Sequence, residues 1–200
     1  MKAALDQFAE NIARARAISG LAHSLKGLTT PAIDLTDLYR ASIVLGVSAL
    51  DHFVHEYVRL GMIEVHQGKR ASTEANLSFK LPLSAARLGI SNPGQDDWLD
   101  QAIRDAHSWV SFQTPDKIAN AVRLVSNIKL WEEIGKTLGV PAKQAKKELT
   151  AIIERRNKIA HEADIDPVNP GFRWPIDEAL VAKALDYLER LVNAIFIIVK

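Results

Sequence analysis

The feature that most constrains the fold is a helical repeat of apolar residues between positions 141 and 163. Apolar residues recur there at steps of three and four, the spacing that places side chains on one face of an α-helix. The stripe consists of Ala142, Ala145, Leu149, Ile152, Ile153, Ile159, Ala160 and Ala163. Arg156 falls within the stripe, where Leu or Ile is expected. Because an arginine is almost never fully buried unless its charge is paired, we expect Arg156 to point inward and to build a polar site.

Further segments with the same period predict an all-α protein. These segments are residues 2–26, 35–67, 96–112, 115–125, 129–138 and 176–199. Between them, residues 77–83 alternate apolar and polar side chains around Pro82, which predicts an extended arm across the helices. A short turn of helix over 85–88 and a loop over 92–94 are expected to follow. We expect a single helical domain over residues 1–200.

Composition excludes several classes of function. The formal net charge is +1, from 25 basic and 24 acidic residues, so any nucleic-acid binding must come from a local basic patch. The absence of cysteine excludes disulfides and thiolate metal sites. The N-terminal residues lack the apolar core of a signal peptide, and no apolar run is long enough to span a bilayer. We therefore expect a cytoplasmic protein without a membrane partner.

A line of polar residues runs beside the apolar stripe of the second long helix. Asp51 and His55 are four residues apart, so their side chains can contact each other. A carboxylate is the partner that a buried Arg156 needs, which makes Asp51 a candidate; a purely structural Arg156–Asp51 pair and a solvated flank are the alternatives. His52, His55 and Glu56 lack a distant further ligand, so no metal site is predicted.

A histidine, His161, follows Arg156 by five residues at the end of the 141–163 helix. Two other pairs have a similar spacing: Arg16 with His23, and Arg59 with His66. Only Arg156 is followed by a polar residue, Asn157, and only this pair ends a strongly periodic helix. Several cations precede and flank it: Lys143, Lys146, Lys147, Arg155 and Lys158. This local basic character suits a polyanionic substrate, and the lack of a Gly-rich phosphate loop favours side-chain acid–base chemistry without a cofactor.

The segment Arg156-Asn157-x3-His161, preceded by a helix containing Asp51-His-Phe-Val-His-Glu, resembles the RiboL-PSP-HEPN branch of the HEPN superfamily. The resemblance covers residues 35–66 and 141–199, and it leaves the middle third as an insertion. It implies a four-helix bundle with additional short helices, a homodimer, and metal-independent cleavage of RNA. It also implies a toxin or phage-defence effector, with a possible antitoxin or regulatory protein as a partner.

The resemblance assigns roles to individual residues. Arg156 and His161 match the catalytic arginine and histidine, Asn157 matches the polar residue after that arginine, and Asp51 matches an acidic position on the earlier helix. We add Arg155, Lys158 and His55 as candidate substrate-binding residues, with Arg155 and Lys158 on the rim of a groove. The resulting hypothesis is an endoribonuclease, and the alternative is a non-catalytic module of the same fold that binds a nucleotide, RNA or a protein.

Overall fold

The computed structural model describes residues 1–30, 32–92 and 94–199, and nearly all of its regular structure is helical. Within these residues the helices are α1 (Lys2–Lys26), α2 (Thr36–His66), α3 (Glu74–Leu77), α4 (Leu83–Ser91), α5 (Asp97–His107), α6 (Pro115–Val122), α7 (Leu130–Leu138), α8 (Ala142–His161) and α9 (Glu178–Ile198). The described residues form no β-strand beyond one isolated antiparallel bridge between Ile165 and Arg173. The predicted all-α class is therefore confirmed. In these ranges no helix combines the length and the apolar composition that a bilayer crossing requires.

The four long helices α1, α2, α8 and α9 form a bundle around one core. Helix α2 is central, because it packs against α1, α8 and α9. Phe53 in α2 contacts Phe8 in α1 edge-on, with ring centroids 5.8 Å apart, and it also contacts Tyr57 at 5.0 Å. Both phenylalanines are almost completely buried, and each contributes about 1.5–3 kcal/mol of hydrophobic free energy relative to an exposed side chain. The predicted four-helix bundle is confirmed.

Two buried tyrosine hydroxyls join the long helices at fixed points. Tyr57 in α2 donates to the carbonyl oxygen of Val199, just beyond α9, at 2.7 Å. Tyr187 in α9 donates to the carbonyl oxygen of Ala145 in the first turns of α8. Because a buried hydroxyl without a partner costs free energy, these bonds favour one register of the helices.

A close backbone approach sets where α8 begins. Helix α7 ends at Leu138, and the next residue, Gly139, has a φ of +70°, a left-handed conformation that glycine adopts without a steric penalty. One turn earlier, a Cβ atom on Gly135 would lie 2.7 Å from the carbonyl oxygen of Val140 and 3.0 Å from the amide nitrogen of Ala142. The absence of a side chain at position 135 therefore allows α8 to start directly against α7.

The middle of the chain is more helical than predicted. The predicted extended arm over 77–83 shrinks to residues 78–82, because α3 precedes it and α4 follows it. Phe79 and Leu81 still pack against the core in an alternating pattern, as expected of an arm lying across the bundle. The predicted turn at 85–88 is the centre of the longer helix α4. Pro93, in the predicted loop over 92–94, lies outside the described residues.

Candidate active site at the end of helix α8

The C-terminal end of α8 is fixed by two successive residues with left-handed backbones. Ala163 has a φ of 52° and Asp164 a φ of 60°, conformations that cost a residue with a side chain about 1–2 kcal/mol each. In return, the amide of Asp164 donates to the carbonyl oxygen of Lys158 at 2.9 Å. The same carbonyl oxygen also accepts from the amide of Glu162, so both bonds close the last turn of the helix. The chain turns sharply here, and the side chain of Asp164 enters the protein interior.

Asp164 is completely buried and joins two arginines from different helices. Its Oδ2 atom accepts hydrogen bonds from Arg40 Nε in α2 at 2.7 Å and from Arg155 Nη2 in α8 at 2.8 Å. Arg40 is only 6 % exposed, and its Nη2 atom also donates to the carbonyl oxygen of Trp174 at 3.0 Å. The three charged side chains therefore connect the start of α2, the end of α8 and the segment that leads into α9.

The structure places Arg155 inside this cluster and not on the rim of a groove, which corrects the predicted position. Its Nη2 atom donates to Asp164 Oδ2 and to the carbonyl oxygens of Trp174 and Pro175, and only 16 % of its side chain is exposed. Burial is the largest influence on the pKa of Arg155, which lies below its ordinary value although Asp164 opposes the shift. Arg155 therefore has a structural role at the helix junction.

The neighbouring Arg156 has a very different environment. It is half-buried, and among the described residues its one hydrogen bond runs from Nη1 to Asn157 Oδ1 at 3.0 Å. His161 is the last residue of α8 and is exposed, with no hydrogen bond to any described residue. A guanidinium, an amide and an imidazole at one end of the bundle are thus accessible to a ligand. Arg156, which the apolar stripe predicts to point inward, is thus half-buried, and most of its hydrogen-bonding capacity remains unused.

Lys158 lies next to this group of residues. Its ammonium nitrogen is 4.8 Å from the centre of the Trp174 ring, a cation–π contact. The side chain is half-buried, and its positive charge also lowers the pKa of Asp166, although hydrogen bonds from Asn169 have the largest effect on that pKa. Lys158, a candidate substrate-binding residue, therefore lies two positions from Arg156 on α8 with its ammonium group held against an indole ring.

Asp51 and His55 lie elsewhere on α2 and stabilise a loop. Asp51 accepts hydrogen bonds from the amide of Phe112 at 2.6 Å and from Gln113 Nε2 at 3.0 Å. His55 Nε2 donates to the carbonyl oxygen of Val110 at 3.0 Å and is 3.8 Å from Asp51 Oδ1. The predicted proximity of Asp51 and His55 is confirmed. Both side chains hold the segment that follows α5.

The alternative of a structural ion pair between Arg156 and Asp51 is not realised in the part of the chain that the structure describes. The end of α8 is tied to α2 at Arg40, and Asp51 lies eleven positions further along α2. That separation is about 16 Å along the helix axis. In the same described ranges, no three His, Asp or Glu side chains converge as a metal ion requires.

The buried pair of Arg40 and Asp164 was missed, although the sequence contained a signal for one partner. Arg40 lies three residues before Ile43 and seven before Val47, in the same stripe of α2 that builds the core. The rule applied to Arg156, an arginine within an apolar helical stripe, thus identifies Arg40 correctly. Nothing in the sequence signals Asp164, because it follows a helix end and its partner in α2 is 124 residues away.

Comparison with known proteins extends the assignment beyond the resemblance of short motifs. The sequence model of the RiboL-PSP-HEPN family matches residues 9–200, which includes the middle third that the motifs left unassigned. No curated protein and no solved structure matches the chain. The match covers α2, α8 and α9 completely, α1 from residue 9 onward, and the segment from Arg156 to His161. The chain therefore belongs to the RiboL-PSP-HEPN family.

Proposed function

We propose that this protein is a metal-independent endoribonuclease whose active site contains Arg156, Asn157 and His161. The observation that carries the proposal is the contrast between two adjacent arginines on α8. Arg155 donates through Nη2 to three partners inside the protein, whereas among the described residues Arg156 donates only to Asn157 Oδ1. A half-buried guanidinium and an exposed imidazole near the end of the same helix suit a phosphodiester, because one group binds the phosphate oxygens and the other transfers protons.

The proposed reaction is an internal transesterification. His161 takes the proton from a ribose 2′-OH, and the resulting alkoxide oxygen attacks the adjacent phosphorus. The bond to the 5′-oxygen breaks as a second histidine protonates that oxygen, which leaves a 2′,3′-cyclic phosphate and a 5′-OH end. Arg156 stabilises the charge that develops on the non-bridging oxygens. Asn157 accepts from Arg156 through Oδ1 and so orients the guanidinium.

Two copies of the chain would complete the site. Arg156 and His161 are five residues apart, so on an ideal helix their side chains diverge by about 140°. The two side chains of one chain therefore cannot easily contact the same phosphate. A two-fold axis beside α8 would bring the histidine of one protomer next to the arginine of its partner. It would also supply both histidines that the reaction needs, one as a base and one as an acid.

Mixed dimers test this composite site. An Arg156→Ala protein and a His161→Ala protein are each expected to be inactive. After random exchange about half of the dimers are mixed, and in each of these one site is intact and the other carries both substitutions. Activity is therefore expected to return in part on mixing. A mixture that stays inactive would show that each chain carries its own complete site.

Cleavage of RNA in excess EDTA tests the proposed activity. The wild-type protein is expected to cut, and His161→Ala to lose about 10²–10⁴-fold in rate, the usual contribution of a general acid or base. His23→Ala is a matched control, because His23 is also exposed near a helix end and its one side-chain partner among the described residues is Glu178. Cleavage by His161→Ala at the wild-type rate would refute the proposal.

A non-catalytic binding module is the second candidate. Two of the cations expected to face a substrate are engaged within the chain, Arg155 by Asp164 and Lys158 by Trp174. This reduces the local basic patch and favours recognition of a small nucleotide or a protein over a long polyanion. RNA or nucleotide binding that survives His161→Ala, without cleavage products from the wild-type protein, would support this candidate.

A further inference from the structure

A small cavity between α2 and α5 contains a group of histidines that the proposed function does not use. Its volume is about 250 Å³, and His52, His55, Glu56, Arg59, Arg104 and His107 are among the residues that line it. We call it the histidine cavity. His55 lies fifteen positions after Arg40 on α2, about 22 Å along the helix axis from the junction with the end of α8. The histidine cavity is therefore separate from the site at Arg156 and His161.

His107 is a buried polar side chain with no partner at this cavity. It is 7 % exposed, and neither ring nitrogen makes a hydrogen bond to a described residue. Phe79, Phe112 and His55 contact its ring edge-on, at centroid distances of 5.6, 5.1 and 6.1 Å. Burial lowers the pKa of His107 to about 4, and His55 adds to this shift, so the ring is neutral at pH 7. A neutral imidazole offers one hydrogen-bond donor and one acceptor.

The charged groups around the cavity already neutralise one another. Glu56 accepts from Arg59 and from Arg104, and Asp100 also accepts from both arginines. Two cations and two anions are thus paired, which leaves no net charge to attract a phosphate or an ammonium group. A neutral ligand is therefore favoured at this cavity, because a charged ligand would have to break one of the existing ion pairs.

The unused hydrogen-bonding groups of the histidine cavity are nitrogen atoms of planar imidazole rings, which can act as donors or as acceptors. His55 donates through Nε2 to a carbonyl oxygen, and its Nδ1 atom has no hydrogen bond to a described residue. His107 supplies one donor and one acceptor, and the exposed His52 makes no hydrogen bond to any residue described in the structure. Imidazole rings and guanidinium planes are surfaces on which nucleobases stack, and nucleobase edges alternate donors and acceptors.

We propose that the histidine cavity binds a single nucleobase. A volume of about 250 Å³ is below the range of pockets that enclose drug-sized ligands, so it has room for one ring system and not for a dinucleotide. The base hydrogen-bonds to the ring of His107 and stacks against His52 at the rim. It comes either from a free nucleoside or from an RNA strand that also reaches the end of α8.

Titration with uncharged nucleosides tests the proposal. Adenosine, guanosine, cytidine and uridine are added separately, and the ring protons of His107 are followed by NMR while affinity is measured by calorimetry. At least one nucleoside is expected to bind saturably and to shift the His107 resonances. His107→Phe keeps an aromatic ring but removes both nitrogens, so it is expected to weaken binding at least tenfold. His23→Phe, a change at an exposed histidine in α1, is the control and is expected to bind like the wild type.

Several results would overturn the proposal. They are saturable binding by none of the four nucleosides, wild-type affinity in His107→Phe, and a response of the His107 resonances to inorganic phosphate or Zn²⁺ alone. If His107→Phe does not fold, His52→Ala replaces it, because His52 is exposed at the rim and its loss leaves no buried group unpaired. That variant is expected to weaken binding several-fold, and unchanged affinity would count against the proposal.

A second measurement identifies the source of the base. If the base belongs to bound RNA, His107→Phe raises KM for a long RNA more than for a dinucleotide. If the ligand is a free nucleoside, the substitution changes both KM values equally. The nucleoside titration reads binding and not cleavage, so failure of the ribonuclease proposal and failure of the base-binding proposal are distinguishable.

Discussion

Replacing Asp164 with asparagine is expected to destabilise the protein strongly. The substitution keeps the shape of the side chain, and asparagine tolerates the left-handed backbone at φ 60°. It removes the single negative charge that Arg40 and Arg155 share. The expected effect therefore comes from the charge and not from packing or backbone strain.

The magnitude follows from the burial of the groups that remain. Asp164 is completely buried and Arg40 is 6 % exposed, so water cannot replace the lost carboxylate oxygen. Breaking a buried ion pair by removing one partner costs about 3–5 kcal/mol. For a domain of this length each kcal/mol lowers Tm by about 2–4 °C, so a decrease of about 6–20 °C is expected.

Thermal unfolding followed by circular dichroism measures this decrease, and Asp166→Asn is the matched control. Asp166 lies two positions away but is only partly buried, and it accepts a hydrogen bond from the amide of Val168 at Oδ1 and one from Asn169 at Oδ2, of which the single oxygen of an asparagine can keep one. The control is expected to cost less than about 1 kcal/mol. A Tm for Asp164→Asn as high as that of Asp166→Asn would show that the cluster does not hold the junction together.

Three further predictions concern stability. The pKa of His107 falls from 6.5 to about 4 on folding, so the unfolded chain binds a proton at a higher pH than the folded protein does. The free energy of unfolding is therefore expected to decrease by about 3 kcal/mol as the pH decreases from 6.5 to 4. Urea titrations at several pH values should show this loss in the wild type and not in His107→Phe. Ala163→Gly is expected to raise stability by up to about 1 kcal/mol in a thermal melt, since glycine adopts the positive φ of 52° without strain. Gly135→Ala is expected to cost about 1–3 kcal/mol because the new Cβ meets backbone atoms of the next helix, whereas Gly20→Ala, with open space around it, should stabilise by about 0.5–1 kcal/mol.

The fold could be predicted because each long helix carries its own apolar period. The first helix was predicted over residues 2–26, and α1 has the same bounds. The 35–67 and 176–199 helices are one or two residues shorter at each end. Helix α5 ends at His107, five residues before the predicted end at Phe112, because hydrogen bonds to Asp51 and His55 in α2 hold residues 110–112 in a non-helical segment.

The candidate site was predictable only in part, because the same periodicity does not tell a half-buried residue from a buried one. Arg156 lies in the stripe of α8, yet it reaches the surface near the end of the bundle. Its neighbour Arg155, off that stripe, is the arginine engaged in the interior, because Asp164 turns back beneath α8. That turn depends on two left-handed residues and on Arg40 in another helix, and no local pattern indicates such a contact.

The chemistry of the RNA ends tests the central proposal most directly. Wild-type protein is incubated with a defined RNA in excess EDTA, and the termini of the products are identified by mass spectrometry. A 2′,3′-cyclic phosphate on one fragment and a 5′-OH on the other are expected, with neither formed by Arg156→Ala or His161→Ala. Products with a 3′-OH and a 5′-phosphate, or cyclic phosphate formed equally well by His161→Ala, would contradict the proposed roles of Arg156 and His161.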